Sequence, residues 1–104
     1  MTLLVSHKNL KVSIITSEQV RAAKAMLKWS GEDLSRIAGV SLSSIRRVEA
    51  SSGVPEGQQV KTLLAIQQAL EKGGIEFIGT PEDAPGVRLR LNLTADQGNS
   101  KSLT

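Results

Sequence analysis

Apolar residues recur at helical spacing in four segments between residues 17 and 72 and alternate with polar residues from residue 75 onward. Two longer helices are predicted, over residues 17–28 and 60–72, because each segment has one apolar face. Thr16 and Gln19 have the spacing of a capping box before the first helix, and Gly73-Gly74 would end the second. The residues expected to face inward are Val20, Ala23 and Leu27 in the first helix, and Val60, Leu63, Ile66 and Leu70 in the second.

Residues 30–38 predict a short helix between the two longer ones. Ser30 can cap its open backbone amides while Asp33 reaches back to the cap, which is the S-x-x-D form of a capping box. Gly39 follows where a left-handed residue ends a helix at little cost. The apolar face of this helix would consist of Leu34, Ile37 and Ala38.

A second short helix follows the glycine turn, over residues 41–50. Ser41 is its N-cap, and Ile45 and Val48 form its inward face. Two capped helices joined by one tight turn form a helix-turn-helix. At 3.6 residues per turn, the outward face carries Ser43, Arg46, Arg47 and Ala50, with Leu42 and Ser44 on its flanks.

The last predicted element is a β-hairpin within residues 74–92. Ile75 and Phe77 alternate with Glu76, and after the turn-rich residues 79–86 the same alternation resumes. In that second strand the apolar residues are Val87, Leu89 and Leu91, and the polar ones are Arg88, Arg90 and Asn92. Because an isolated hairpin is marginal in water, we expect it to pack on the helices and to pair its free edge with a second subunit or with a leader strand at residues 11–15. For Arg88 and Arg90, cross-strand pairing with Glu76 and contact with DNA are both open.

The predicted organisation is therefore mainly α: four short helices followed by a C-terminal β-hairpin. Residues 1–15 form an N-terminal extension that either includes a short strand at residues 11–15 or has no regular structure. Residues 16–73 hold the helix-turn-helix, residues 74–92 the hairpin, and the polar residues 93–104 are expected to be a disordered tail.

Composition narrows the classes of function. The 104 residues suit one small domain, and the net charge of +3 is compatible with a polyanionic partner. Aromatic residues make up only 2%, which disfavours recognition of RNA or single strands by stacking. The chain has no cysteine and no run near the ~20 apolar residues of a membrane span, so we expect a cytoplasmic protein without membrane contact. No constellation of catalytic, metal-ligating or cofactor-binding residues is evident, so we expect no enzyme and no cofactor.

Residues 17–72, about half the chain, resemble the DNA-binding domain of phage repressor and Cro proteins, the Xre family of transcriptional regulators. The resemblance lies in VRAAKAMLKWS at residues 20–30 and EDLSRIAGVSLSSIRRVEA at residues 32–50. It implies a lambda-repressor-like bundle that binds operator DNA as a two-fold homodimer. The residues expected to read bases in the major groove are Leu42, Ser43, Arg46 and Arg47, and those expected to bind phosphate are Ser30, Gly31, Ser44, Ser51 and Ser52.

Two positions depart from the family pattern. The family commonly has glutamine in place of Gly31, where the side chain helps to anchor the domain on DNA. Here only the backbone amides of the helix start remain, although a helix N-terminus binds phosphate by itself. The family also tends to pair a first-helix arginine with the glutamate matching Glu49, and this chain has Lys24 there. A lysine lacks the bidentate fork, so we expect a looser bridge.

The sequence thus predicts a sequence-specific regulator, a repressor by family analogy, that inserts residues 41–50 into the major groove as a dimer, with the hairpin as a candidate dimerisation element. The alternative is a protein-binding module of the same fold, of the antitoxin or anti-activator type, with weak or no DNA binding.

Overall fold

Four helices and one β-hairpin make up residues 15–91, the part of the chain that the structure, a computed structural model, describes. The predictions for residues 1–14 and 92–104 fall outside this range. The mainly α architecture with a C-terminal antiparallel hairpin is confirmed. The elements are α1 (Ser17–Leu27), α2 (Gly31–Ala38), α3 (Leu42–Ala50), α4 (Val60–Lys72), β1 (Ile75–Thr80) and β2 (Asp83–Leu89).

The predicted capping boxes start α1 and α2. The Thr16 hydroxyl accepts from the backbone amide of Gln19 at 3.1 Å, and the Gln19 side chain accepts from the amide of Thr16 at 2.8 Å. Ser30 and Asp33 make the same reciprocal pair at 3.0 and 2.8 Å. Lys28 ends α1 with φ at 59°, a left-handed position usually filled by glycine. Local hydrogen bonding therefore sets where these helices begin and end.

The core is built from aliphatic side chains of all four helices, with Ile75 added from the hairpin. Ile37 and Val60 were expected on inward faces, and those expectations are wrong, because the two are 41% and 66% exposed. Leu91, expected on the apolar face of the hairpin, is 68% exposed. The short α2 buries only Leu34 completely, so the rest of its apolar face is left partly open. Val60 is the first residue of α4, and Leu91 lies beyond the end of β2. The buried apolar residues are Ile15, Val20, Ala23, Leu34, Ile45, Val48, Leu63, Ile66, Ala69, Leu70 and Ile75.

The hairpin is tighter than the turn-rich sequence suggested. Its strands continue into that segment and leave only residues 81 and 82 between them. The ladder pairs Glu76 with Arg88 and shifts register between Ile78 and Thr80. Gly79 has φ at 78° at this bulge, and a Cβ atom there would lie 2.0 Å from the carbonyl oxygen of Ala84. Only glycine fits this approach of the two strands.

Helix α1 packs against α3 and also against β2. On the hairpin side, the Gln19 amide donates to the carbonyl oxygens of Ile78 at 3.2 Å and Gly86 at 2.8 Å. Gln19 is itself buried, so these two bonds attach the hairpin to α1 in a region sheltered from water. No helix within residues 15–91 is long and apolar enough to cross a membrane.

Candidate nucleic-acid interface

Helix α3 turns one face into the core and the opposite face to solvent. Ile45 and Val48 are 1% and 0% exposed, whereas Ser43, Arg46 and Arg47 are exposed. The start of the helix is fixed by Ser41, whose hydroxyl accepts from the amide of Ser44 at 3.2 Å. The orientation predicted from helical spacing is therefore confirmed, while the base-reading role of these residues stays a prediction.

The two arginines on this face keep their charge uncompensated. Within residues 15–91 neither Arg46 nor Arg47 forms an ion pair. Glu49, the acid of α3, points to α1 and pairs with Lys24 at 3.0 Å between Nζ and Oε2. The expected lysine bridge is thus present and half-buried. Since the acid is held on the far side, the outward face of α3 is positive, and its guanidinium groups have all their donors available.

Leu42 and Ser44 lie on the flanks of this face, as their spacing predicts. Leu42 is half-buried and packs against the core. Ser44 accepts a hydrogen bond from the Ser41 hydroxyl at 3.0 Å, and the Ser43 and Ser41 hydroxyls lie 3.3 Å apart. The serine hydroxyls at the start of α3 therefore form one small cluster beside the arginines. A surface-exposed hydroxyl in such a cluster can bond to a base edge or a phosphate.

The start of α2 lies directly against the start of α3. A Cβ atom at Gly31 would be 3.4 Å from Leu42 Cδ1 and 3.9 Å from Ile45 Cγ2. This contact brings the predicted phosphate position next to the predicted base-reading face.

Ser30 uses its hydroxyl oxygen to cap α2, and the Ser30 amide is the main cause that lowers the pKa of Asp33 below its ordinary value. The Asp33 carboxylate therefore stays ionised as part of the cap.

The remaining predicted phosphate residues follow α3. The Ser51 hydroxyl donates to the carbonyl oxygen of Arg47 at 3.0 Å, so its proton is used at the helix end. Ser52 is exposed. Ser52 is therefore the better placed of the two to donate to a phosphate.

Sequence reasoning missed how α1 holds the end of α3. Arg21 donates from Nη1 to the carbonyl oxygens of Glu49 at 2.5 Å and Ser51 at 3.1 Å. Glu18 accepts from the amide of Gly53 at 3.0 Å, and amide donors, its own first and then that of Gly53, lower its pKa. With the Lys24–Glu49 pair, these contacts form what we call the ionic stripe of α1, residues Glu18, Arg21 and Lys24. Charges at every third position of a helix were the available signal for such a stripe.

The α3 face thus has a fixed helix start, a clamped helix end and two guanidinium groups that form no ion pair with residues 15–91. No protein-family model matches the chain, and no curated protein matches it.

Proposed function

We propose that this protein binds double-stranded DNA through α3 and regulates transcription as a homodimer in the cytoplasm, without catalysis. The observation that carries the proposal is the outward face of α3, which is exposed and positive, with Arg46 and Arg47 unpaired within residues 15–91. An α-helix fits the major groove, and arginine can bond guanine through two donors there. The lambda-repressor-like fold and Xre-type membership belong to the same proposal and are supported by the resemblance of residues 17–72.

The geometry supports insertion of α3 in particular. Ser41 fixes one end of the helix, and Arg21 on α1 clamps the other. A helix held at both ends presents its side chains in one orientation, which sequence reading requires. Gly31 places the amides of the α2 start beside α3, where a helix N-terminus can receive a phosphate of the same site. Two such domains in a dimer would read half-sites about 10 bp apart, and occupancy of a promoter would repress it.

The test is fluorescence anisotropy on a duplex selected from a random library by the wild-type protein, with titrations repeated in rising salt. We expect specific binding with a steep salt dependence. Arg47→Ala should weaken binding to the selected duplex by about ten- to a hundredfold and reduce its preference over random DNA. Arg88→Ala is the matched control and should change the affinity little, because this hairpin arginine pairs with Glu76 at 3.1 Å and lies outside α2 and α3. Equal weak binding of wild type and Arg47→Ala to both duplexes would refute the proposal.

Arg46 can act on DNA in two ways, and the same assay separates them. As a base reader, its loss should relax the preference at one base pair. As a phosphate clamp, its loss should weaken all duplexes alike and lower the salt slope by about one.

The competing function is a protein-binding module of the same fold. The missing side chain at Gly31 and the modest net charge of +3 are the observations in its favour. Capture of a single stoichiometric protein partner by the purified chain, together with no retained DNA and no selected duplex, would favour this function over DNA binding.

A further inference from the structure

An open groove of about 1210 Å³ lies on a surface that the candidate DNA face does not use. It is bounded by the carboxyl ends of α1 and α4 and by the open end of the hairpin, where β1 begins and β2 ends. No residue of α2 or α3 lines it. A molecule bound in this groove would therefore leave the outward face of α3 uncovered.

Apolar side chains form part of the lining of the groove. Leu27, Phe77 and Leu89 line it as partly buried side chains packed on the core. Met26 and Leu91 lie on the same groove and are 43% and 68% exposed. Single exposed apolar residues are common on proteins, but a contiguous group on a concave surface is typical of an interaction site.

Four charged side chains line the groove. Glu76 and Arg90 pair with each other, and the Glu71 carboxylate accepts one hydrogen bond, from the Gln67 side chain at 3.1 Å. Glu71 and Lys72 are adjacent at the end of α4, both are exposed, and Lys72 has no ion-pair partner within residues 15–91. In a two-fold contact, residue i of one subunit meets residue j of the other and the reverse also holds. Adjacent opposite charges near such an axis can therefore pair twice, Glu71 with the lysine of the second copy and Lys72 with its glutamate.

We propose that this groove is the surface through which two copies of the chain associate, with Met26 and Leu91 buried at the contact and Glu71 and Lys72 pairing reciprocally. The purpose of the dimer, which is to place two α3 helices on paired half-sites, rests on the proposed function. Residues 92–104 are the nearest competing occupant, since they continue from Leu91. Their composition fits the groove poorly: the thirteen residues have two large apolar side chains, Leu93 and Leu103, and one charge of each sign.

Sedimentation equilibrium of the full chain without DNA tests the proposal. We expect a dimer for the wild type and a dissociation constant raised about tenfold or more by Met26→Glu or Leu91→Glu. Val54→Glu is the matched control, because Val54 is 42% exposed, as Met26 is, but lies off the groove. Circular dichroism and thermal melting identify variants that fail to fold. Glu71→Lys should weaken the dimer, and adding Lys72→Glu to it should restore association, because the exchange recreates both pairs.

Several results would overturn the inference. These are a wild-type monomer at all concentrations, a dimer that Met26→Glu and Leu91→Glu leave intact, and a dimer that only Val54→Glu weakens. A chain that is monomeric until residues 92–104 are deleted would show that those residues occupy the groove instead. The outcome can be told apart from that of DNA binding. A dimer that binds no selected duplex leaves the groove assignment standing. A monomer that binds one refutes the groove assignment and the homodimer, and leaves DNA binding through α3 standing.

Discussion

Helix α3 and the hairpin lie against different faces of α1 and are attached to it by different chemistry. The ionic stripe of α1 holds the end of α3 through charged groups that are partly open to solvent. Hydrogen bonds from one buried amide, that of Gln19, hold the hairpin. Buried hydrogen bonds are costly to break, whereas exposed charge contacts are weak singly and depend on pH and salt. The contacts between α1 and the hairpin should therefore control the stability of the fold. The ionic stripe of α1 should control how precisely α3 is positioned.

Gln19→Leu should produce the largest effect. It removes half of a capping box and leaves the carbonyl oxygens of Ile78 and Gly86 without their donor, so we expect a loss of about 2–4 kcal/mol in the free energy of unfolding. Urea denaturation followed by circular dichroism measures it. Gln68→Leu is the control, since Gln68 is exposed on α4, and it should change stability by less than about 0.5 kcal/mol. Similar losses in both variants would contradict the role of Gln19.

Arg21→Met should come next and should act mainly on α3. Loss of the two donors to Glu49 and Ser51 should cost about 1 kcal/mol in stability, a figure reduced for the exposure of the guanidinium. The more specific readout is the ratio of affinities for the selected duplex and random DNA, which should fall as the helix end loosens. Arg88→Met removes an exposed ion pair from the hairpin and should leave that ratio unchanged. A normal ratio in Arg21→Met would show that α3 does not depend on the clamp.

Gly31→Gln should change DNA binding without disturbing the fold. The contacts of a Cβ atom at this position are of ordinary length, so a side chain can be accommodated. A glutamine there adds a donor beside the start of α3, and we expect the affinity for the selected duplex to rise about two- to fivefold. Gly31→Leu adds similar bulk without a donor. If both variants raised the affinity equally, the gain would come from stabilisation of α2 by the loss of glycine and not from a contact with DNA.

Acid should destabilise both α2 and the hairpin. The contribution of any single carboxylate to stability should be smaller than the effects of the substitutions above. The Ser30 amide lowers the pKa of Asp33 in the helix-turn-helix, and the Arg88 guanidinium lowers the pKa of Glu76 in the hairpin. Because these folded-state values lie below the unfolded ones, the stabilisation is complete above about pH 4.5 and is lost as the pH falls through the folded values. Denaturation midpoints measured from pH 6 to 3 should fall with pH. Asp33→Asn and Glu76→Gln should each flatten that dependence, and Gln68→Leu, which removes no carboxylate, should not.

Features set by neighbouring residues could be predicted from the sequence. The capping boxes at Thr16 and Ser30, the left-handed Gly39 and the bounds of α4 all follow from residue types a few positions apart. Apolar spacing likewise gave the inward and outward sides of α3. It failed at Ile37 and Val60, because spacing marks a face but not how much of that face a neighbouring element covers.

Polar contacts between distant segments could not be predicted in the same way. Gln19 was expected as a capping residue, and its other partners lie 59 and 67 positions further along the chain. Arg21 gave no indication that it reaches carbonyl groups 28 and 30 positions away. Backbone carbonyls have no sequence signature, since every residue carries one. The clamp on α3 and the attachment of the hairpin therefore required the folded structure.

The attachment through Gln19 also has a consequence for how the protein is made. Helix α1 belongs to the first part of the described chain, and Gly86 to its last strand. During synthesis from the N-terminus, the amide of Gln19 cannot bond to Gly86 until 67 further residues have been added. The helices can begin to form in order, but α1 acquires its full set of hydrogen bonds only when the hairpin has left the ribosome. Folding of residues 15–91 therefore cannot be completed before residue 86 has been added, and a product truncated before that residue would leave α1 without its hydrogen bonds to the hairpin.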